Sequence, residues 1–170
     1  MPFTDEQKQQ LPTIYEKIKD VDIAMLTTID RKRGTLHSRP MSTNKQVEPD
    51  GTIWFFTYND SEKASEVEMH ENVNLSYSLP SSQLYVSVSG TAEMVQDKAK
   101  MKEFWNPILK AWFPDGLETP NIALLKVTIT EAEYWDSNSN KMVQLFQIVR
   151  AIVTGTEADY GKHEKIDLNK

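Results

Sequence analysis

A run of β-branched and aromatic residues at positions 53–58 constrains the fold more than any other part of this chain. It predicts a strand that breaks at Asn59-Asp60 and leads into a helix. Ser61 is a good N-cap residue, and Lys63 follows in the first turn. Because a helix start leaves backbone N–H groups free and carries partial positive charge, this place suits a phosphate. The alternative is an ordinary strand-to-helix turn with a solvated lysine.

The composition excludes several classes of protein. The 170 residues include no cysteine, so disulfides, thiolate catalysis and zinc–thiolate sites are excluded. The net charge of −6 argues against a nucleic-acid partner held by a broad basic face. No apolar run approaches the length of a membrane span, and the first residues do not resemble a signal peptide. We expect one cytoplasmic domain over residues 1–170, with neither nucleic acid nor a membrane as partner.

The order of predicted elements indicates a mainly β protein with peripheral α-helices. Several strands are joined by turns or short loops, which favours antiparallel pairing in a closed or nearly closed barrel. Gly90 predicts a bend in its strand, and Pro12 interrupts the first helical pattern. The predicted strands are 21–29, with Ile23, Met25 and Thr27 on one face, and 35–43, 52–58, 73–79, 84–95 and 121–136. The predicted helices are 4–19, 61–71, 97–105 and about 141–154, before a polar tail, 157–170, anchored by Ile166 and Leu168.

The predicted strand 35–43 is unusually polar. It carries His37, Ser38 and Arg39, and Pro40 marks it as an edge or a bulge. Such a strand is either solvent-exposed or lines a polar site. Because consecutive strands are usually neighbours, we expect Arg39 to lie close to Ser61, where an arginine and a lysine together could hold a phosphorylated, flat cofactor.

Other chemistry finds little support in the sequence. The three histidines, His37, His70 and His163, have no metal-binding spacing, and we expect no metal. Glycine patterns of nucleotide-binding loops and the serine-hydrolase motif do not occur. The sequence identifies no catalytic residue.

Several motifs resemble one family. The string FFTYNDSEKA, residues 55–64, resembles the phosphate-binding segment of the pyridoxamine 5′-phosphate oxidase-like, FMN-binding split barrels. The strand HSRPMS, residues 37–42, resembles the arginine strand that contacts FMN in that family. The loop WFPDG, residues 112–116, the strand end at 133–136 and the closing YGKHEKIDL resemble the bacterial subgroup called general stress protein 26. The resemblance implies a split β-barrel and a homodimer with FMN at each end of the subunit interface.

The resemblance also implies roles for individual residues. Arg39, Ser61 and Lys63 would hold the FMN phosphate, and Phe56 and Thr57 would contribute backbone and hydroxyl contacts. Trp112, reaching from the partner subunit, would cover the isoalloxazine ring or fill the subunit interface. The residues expected beside the ribityl chain and ring are His37, Ser38, Pro40 and Met41.

Two departures from the family pattern bear on activity. Glu62 stands where the true oxidases have an arginine beside the phosphate, and Thr43-Asn44 stands where their arginine strand ends in a lysine. Oxidation of pyridoxamine phosphate is therefore not expected. We expect an FMN-binding general stress protein that is a flavin-dependent oxidoreductase of unknown substrate. The alternatives are a non-catalytic flavin holder, a deazaflavin-binding relative, and a barrel that binds no flavin.

Overall fold

The computed structural model describes residues 5–30, 32–44, 47–136 and 162–167. The described residues form three α-helices and seven strands, with short 3₁₀ turns at Pro80–Ser82, Pro107–Ala111 and Gly116–Glu118. None of the helices among them is long and apolar enough to cross a membrane. In chain order the elements are α1 Asp5–Ile18, β1 Ile23–Ile29, β2 Leu36–Ser42, β3 Thr52–Tyr58, α2 Glu62–Met69, β4 Asn72–Leu79, β5 Leu84–Val95, α3 Lys98–Phe104, β6 Ile122–Asp136 and β7 Lys162–Asp167.

The strands form one antiparallel sheet that curls into a half-barrel. Their order is β2-β1-β4-β5-β6-β3, and β7 also pairs with β6. Strand β3 pairs with the first half of β6, whereas β7 pairs with its second half along the same edge. The expectation of a mainly β protein with peripheral helices is confirmed.

The consecutive strands β2 and β3 do not pair with each other in the sheet. They stand at opposite ends of the strand order, and each pairs through the sheet with another strand. Because the sheet curls, the two ends approach each other without forming a ladder, and the Asn44 side chain donates to the Trp54 carbonyl at 3.1 Å. The expectation that β2 is an edge strand, drawn from Pro40, is confirmed.

Strand β3 is buried along almost its whole length because both of its faces are covered. Ile53 and Phe55 face the main core inside the half-barrel. Trp54 and Phe56 face a second cluster, which α3 and the following turns complete. A strand buried on both faces reads as a continuous apolar run, which explains the unbroken pattern of residues 53–58.

Strand β1 presents its two faces to different surroundings. Ala24 and Leu26 point into the main core, whereas Ile23 and Met25, which the sequence places on one face together with Thr27, are exposed. The exposed face of β1 is therefore an apolar surface on the outside of the half-barrel.

The bend predicted at Gly90 is confirmed. The register between β5 and β6 shifts between Ser89 and Gly90. A Cβ atom at Gly90 would lie 2.4 Å from the Thr128 carbonyl oxygen, so the close approach of the two strands requires glycine.

Two expectations about the helices and the tail need correction. Pro12 does not split the first helix, because α1 runs through it from Asp5 to Ile18. The segment 162–167 is not a polar tail but strand β7, which places Ile166 in the main core. The predicted helix at about 141–154 and the predicted anchor Leu168 lie outside the described residues.

Candidate functional site: a cleft between the two ends of the sheet

A cleft of about 150 Å³ lies where β2 and β3 approach each other. Strand β2 contributes its edge and β3 its last residues, while α2 supplies one lysine and the turn after α3 closes the far side. Six of the ten residues expected to bind FMN line it: Pro40, Met41, Phe56, Thr57, Lys63 and Trp112. Ser42, Tyr58, Leu109 and Phe113 complete the lining and were not singled out in the sequence.

Lys63 carries the positive charge of the cleft. Its ammonium donates to the Thr57 hydroxyl at 3.0 Å. Within the part of the chain that the structure describes, no carboxylate forms an ion pair with it. Burial, and next the charge of Arg39, lower the pKa of Lys63, and the Glu66 carboxylate opposes this only in part. A half-buried ammonium in such surroundings is suited to an anion.

Ser61 stands at the predicted N-cap position of α2 but does not cap the helix with its side chain. Its hydroxyl instead donates to the Tyr58 carbonyl at 2.7 Å. This bond fixes the turn between β3 and α2, and Ser61 is not among the residues that line the cleft. Lys63 lies in the first turn of α2, next to the first backbone N–H groups of the helix.

Arg39 is bound into a second, separate network. Its guanidinium donates to the Glu66 carboxylate at 2.5 Å and to the Thr28 hydroxyl at 2.7 Å. The Thr28 hydroxyl in turn donates to the same carboxylate oxygen at 2.5 Å. Glu66 is only 1% exposed, so this is a buried ion pair between β2 and α2. The sequence suggested Arg39 as a phosphate ligand, but the structure shows that Glu66 already balances its charge.

Glu66 was not predicted as a site residue, because its local sequence resembles that of a solvated carboxylate on a helix surface. The one local signal is its position beside Val67 and two residues after Ala64, the buried face of α2. Burial by itself would raise the pKa of Glu66, but the bonds from Thr28 and Arg39 more than offset this and hold its pKa below the usual range. Glu66 is therefore ionised at neutral pH and holds Arg39 in place.

His37 and Ser38 also lie away from the cleft lining. The His37 ring nitrogen Nδ1 is 2.7 Å from the Arg39 guanidinium and 3.6 Å from Glu66, so His37, whose side chain is 44% exposed, contacts this network. The Ser38 hydroxyl lies 2.7 Å from that of Thr27 on the outer face of the sheet.

Ligand atoms of His37, Glu62 and Glu66 lie within 4.8 Å of one another, which is the spacing of a possible metal site. The Arg39 guanidinium contacts both His37 and Glu66 at this place. A cation there would have to displace the guanidinium that already neutralises Glu66. The geometry therefore favours an arginine-centred network over a metal centre.

Trp112 lies in the cleft of its own chain, beside the residues of β2, whereas the resemblance brings it from a partner subunit. Trp112 lies there because the loop after α3 folds back and places Leu109 and Phe113 in the second core cluster. The Tyr58 hydroxyl donates to the Trp112 carbonyl at 2.8 Å and fixes the loop against β3. The side chain of Trp112 remains 50% exposed and forms a wall that a planar molecule can contact.

A larger groove of about 620 Å³ adjoins the cleft. Ser42, Leu109 and Trp112 line both spaces, so the two are continuous. The groove extends between the beginning of β1 and the end of α3.

Comparison with known proteins agrees with this architecture. The family model described as pyridoxamine 5′-phosphate oxidase like matches residues 9–159. A curated relative, Protein bli-3 of Neurospora crassa, is 30% identical over 151 residues, which cover 84% of this chain and 72% of the relative.

Two solved structures show the same fold. A general stress protein 26 from Jannaschia sp. CCS1 superposes with a TM-score of 0.72 at 26% identity, covering 94% of this chain and 98% of its own. A general stress FMN/FAD binding protein from Xanthomonas citri superposes with a TM-score of 0.65 at 30% identity, covering 78% and 92%. The split β-barrel expected from the sequence is thereby confirmed. The chain belongs to the pyridoxamine 5′-phosphate oxidase-like family and is similar to its general stress protein 26 members.

Proposed function

We propose that this protein binds FMN in the cleft between β2 and β3 and acts as a flavin-dependent oxidoreductase. The observation that carries the proposal is Lys63, a half-buried ammonium whose hydrogen-bond partner is the neutral Thr57 hydroxyl. A phosphate beside it would supply the missing negative charge. Membership of the family and the similarity to a FMN/FAD binding stress protein from Xanthomonas citri support the same ligand.

The residues present fit such a cofactor. Lys63 and the start of α2 would hold the phosphate. Pro40, Met41 and Trp112 offer apolar walls against a planar ring and would exclude water from it. The chemistry supplied by bound FMN is two-electron transfer, here from a reduced nicotinamide to an acceptor.

A second candidate, a non-catalytic flavin holder, is favoured by one observation. Among the described residues that line the cleft, Lys63 and Tyr58 are the only ones with a titratable side chain, and Tyr58 is bonded to the Trp112 carbonyl. Anaerobic reduction by NADH and NADPH separates the two candidates. If the FMN-loaded protein is reduced no faster than free FMN, the oxidoreductase proposal fails and the protein is a non-catalytic flavin holder.

The binding experiment compares FMN with riboflavin, which lacks the phosphate, by quenching of flavin fluorescence. Lys63→Met should weaken FMN binding about 10- to 150-fold, because a charge-assisted hydrogen bond contributes about 1.5–3 kcal/mol. Riboflavin should change by less than about threefold. Lys102→Met, an exposed lysine on α3, is the control and should change neither affinity. An equal loss for both ligands, or no loss, would refute the phosphate assignment.

We further propose that two copies pair through the outer face of β1 and β2. The pairing of these strands places Met25 opposite Pro40 and Ile29 opposite Leu36 on that face. Met25 is 40% and Leu36 77% exposed, which leaves apolar surface for a second copy to cover. A second copy there would lie against Pro40, at the edge of the cleft, and would close it.

The dimer is tested by sedimentation velocity. Met25→Glu should shift the protein toward the monomer, because the new charge would be buried against an apolar partner face. Met69→Glu is the matched control, because Met69 on α2 is also an exposed methionine, at 52%. A monomeric wild type, or a dimer that tolerates Met25→Glu as well as Met69→Glu, would exclude this interface.

The cytoplasmic location stays a prediction from the sequence.

A further inference from the structure

The cleft around Lys63 and the larger groove meet at Trp112. The cleft encloses about 150 Å³ and the groove about 620 Å³, and Trp112 lines both. Because small-molecule sites usually enclose about 300–1,000 Å³, a flavin anchored at Lys63 would fill the cleft and continue past Trp112 into the groove. The position of Trp112 therefore decides how a flavin passes from one space to the other.

The turn that carries Trp112 is held against β3 in two ways. Leu109 and Phe113 are buried in the second core cluster, where the Phe113 ring centroid lies 6.1 Å from that of Phe56. Within the turn, the amides of Trp112 and Phe113 donate to the Leu109 carbonyl at 3.0 and 2.9 Å. Among the described residues, the hydrogen bond that joins this turn to β3 runs from the Tyr58 hydroxyl to the Trp112 carbonyl, at 2.8 Å. Apolar packing thus fixes the neighbours of Trp112, and this hydrogen bond fixes Trp112 itself.

Tyr58 is well placed to restrain another residue. It is the last residue of β3 and lies opposite Ile122 in the ladder with β6. Its ring centroid lies 5.0 Å from that of Phe113. Because the backbone and the ring are both held, the hydroxyl has a fixed position, and it is committed as a donor to the Trp112 carbonyl. The residue that it restrains has a side chain that is 50% exposed, so little else confines that side chain.

On the basis of the proposed flavin site, we propose that Tyr58 is a positioning residue for the flavin ring. Its hydroxyl holds the backbone of Trp112, and Trp112 presents an aromatic face to the ring where the cleft opens into the groove. Lys63 acts on the phosphate at the other end of the same ligand. The contributions of Tyr58 and Lys63 to affinity are therefore separable.

The first experiment removes the Tyr58 hydroxyl and keeps the ring. Tyr58→Phe should weaken FMN and riboflavin alike, by about 3- to 10-fold, because it removes one hydrogen bond between neutral groups. The ratio of the two affinities should stay within about twofold of that of wild type, whereas Lys63→Met should change this ratio. Bound flavin should also become more fluorescent, because an indole ring in contact with the isoalloxazine quenches its emission. Tyr85→Phe is the matched control, because Tyr85 is an exposed tyrosine on β5, and it should change none of these values.

A double variant shows whether Tyr58 acts through Trp112. Trp112→Leu should weaken both flavins by itself, because it removes the aromatic wall. In that background Tyr58→Phe should change either affinity by less than about twofold, because the side chain that the hydroxyl positions is gone. If the full loss from Tyr58→Phe persists without the indole ring, the proposal is overturned, since the hydroxyl does not then act through Trp112.

The same titrations keep the role of Tyr58 apart from the flavin proposal itself. If Lys63→Met selectively weakens FMN but Tyr58→Phe affects neither flavin, or affects FMN alone, the role of Tyr58 is refuted and the phosphate site stands. If Lys63→Met weakens both flavins equally while the expected results for Tyr58→Phe are obtained, only the phosphate assignment fails. If wild type binds neither flavin, the flavin proposal fails and the role of Tyr58 fails with it.

Discussion

Arg39 and Lys63 lie on facing parts of the molecule, yet their charges meet opposite surroundings. Arg39, on β2, donates to the buried Glu66 carboxylate and to Thr28. Lys63, one turn before Glu66 on α2, donates to the neutral Thr57 hydroxyl. One cation is already neutralised inside the protein, and the other is half buried without such a partner among the described residues.

In the proposal that FMN binds at Lys63, this difference would make Arg39 a structural cation and Lys63 the binding cation. A buried ion pair contributes little net stability when formed, but its loss is costly because one charge remains unpaired. Burial lowers the pKa of Lys63, which means that its charged form is destabilised. An anion bound beside it would stabilise that charged form. Both residues are candidate phosphate ligands by their sequence positions, but of the two only Arg39 forms an ion pair with a buried carboxylate among the described residues.

The largest effect is expected from Glu66→Gln. The variant leaves the Arg39 guanidinium buried beside a neutral amide, which should lower the free energy of unfolding by about 3–5 kcal/mol. The pKa of Glu66 is lowered in the folded protein, so its contribution is fully present above about pH 5 and is lost as the pH falls through that lowered pKa. Urea unfolding followed by tryptophan fluorescence measures it, with the exposed Glu68→Gln as control.

The double variant Glu66→Leu, Arg39→Met tests the comparison itself. Removing both charges should cost less than the sum of the two single losses, since no unpaired charge remains. The double variant should also keep the preference for FMN over riboflavin if Lys63 is the phosphate ligand. If the losses of stability are additive, Glu66 and Arg39 do not act as a coupled ion pair. If the double variant loses the preference for FMN over riboflavin, Arg39 is a phosphate ligand.

The local signals of the sequence predicted much of the fold. The strand predicted over 84–95 and the helix predicted over 97–105 are found as β5 and α3, and the Asp97 carboxylate accepts from Ala99 and Lys100 at the start of α3. These elements depend on residues that are close together in the chain, so the pattern of a single sequence can predict them.

Features that depend on distant partners were not predicted. Strand β7 reads as a charged tail, and it becomes a strand because β6 offers a free edge, where Lys165 meets Glu131 at 2.7 Å. In the site, Lys63 follows from local pattern, whereas the role of Glu66 depends on β1 and β2. The cleft itself arises from curling of the whole sheet, which no local pattern records.

The smallest effect concerns the pH dependence of Lys63. Its pKa in the free folded protein lies below the ordinary value, about 10.4, that it has in the unfolded chain. Between the two values the unfolded chain binds more protons, so the stability of the free protein should rise with pH across that window. The variant Lys63→Met lacks this titrating group. The melting temperature of wild type minus that of the variant should therefore increase as the pH rises.

Bound FMN should abolish this pH-dependent increase in the melting temperature of wild type relative to Lys63→Met. A phosphate beside the ammonium raises the pKa of Lys63 back toward its ordinary value, so the loaded protein no longer releases that proton in the window. By the same linkage, FMN should bind more weakly as the pH rises through the pKa of free Lys63. Melting curves of wild type and Lys63→Met between about pH 8 and 10.5, with and without FMN, measure both effects. A wild-type gain that FMN leaves unchanged would mean that the phosphate lies elsewhere, and Lys63 would then be no more a binding cation than Arg39.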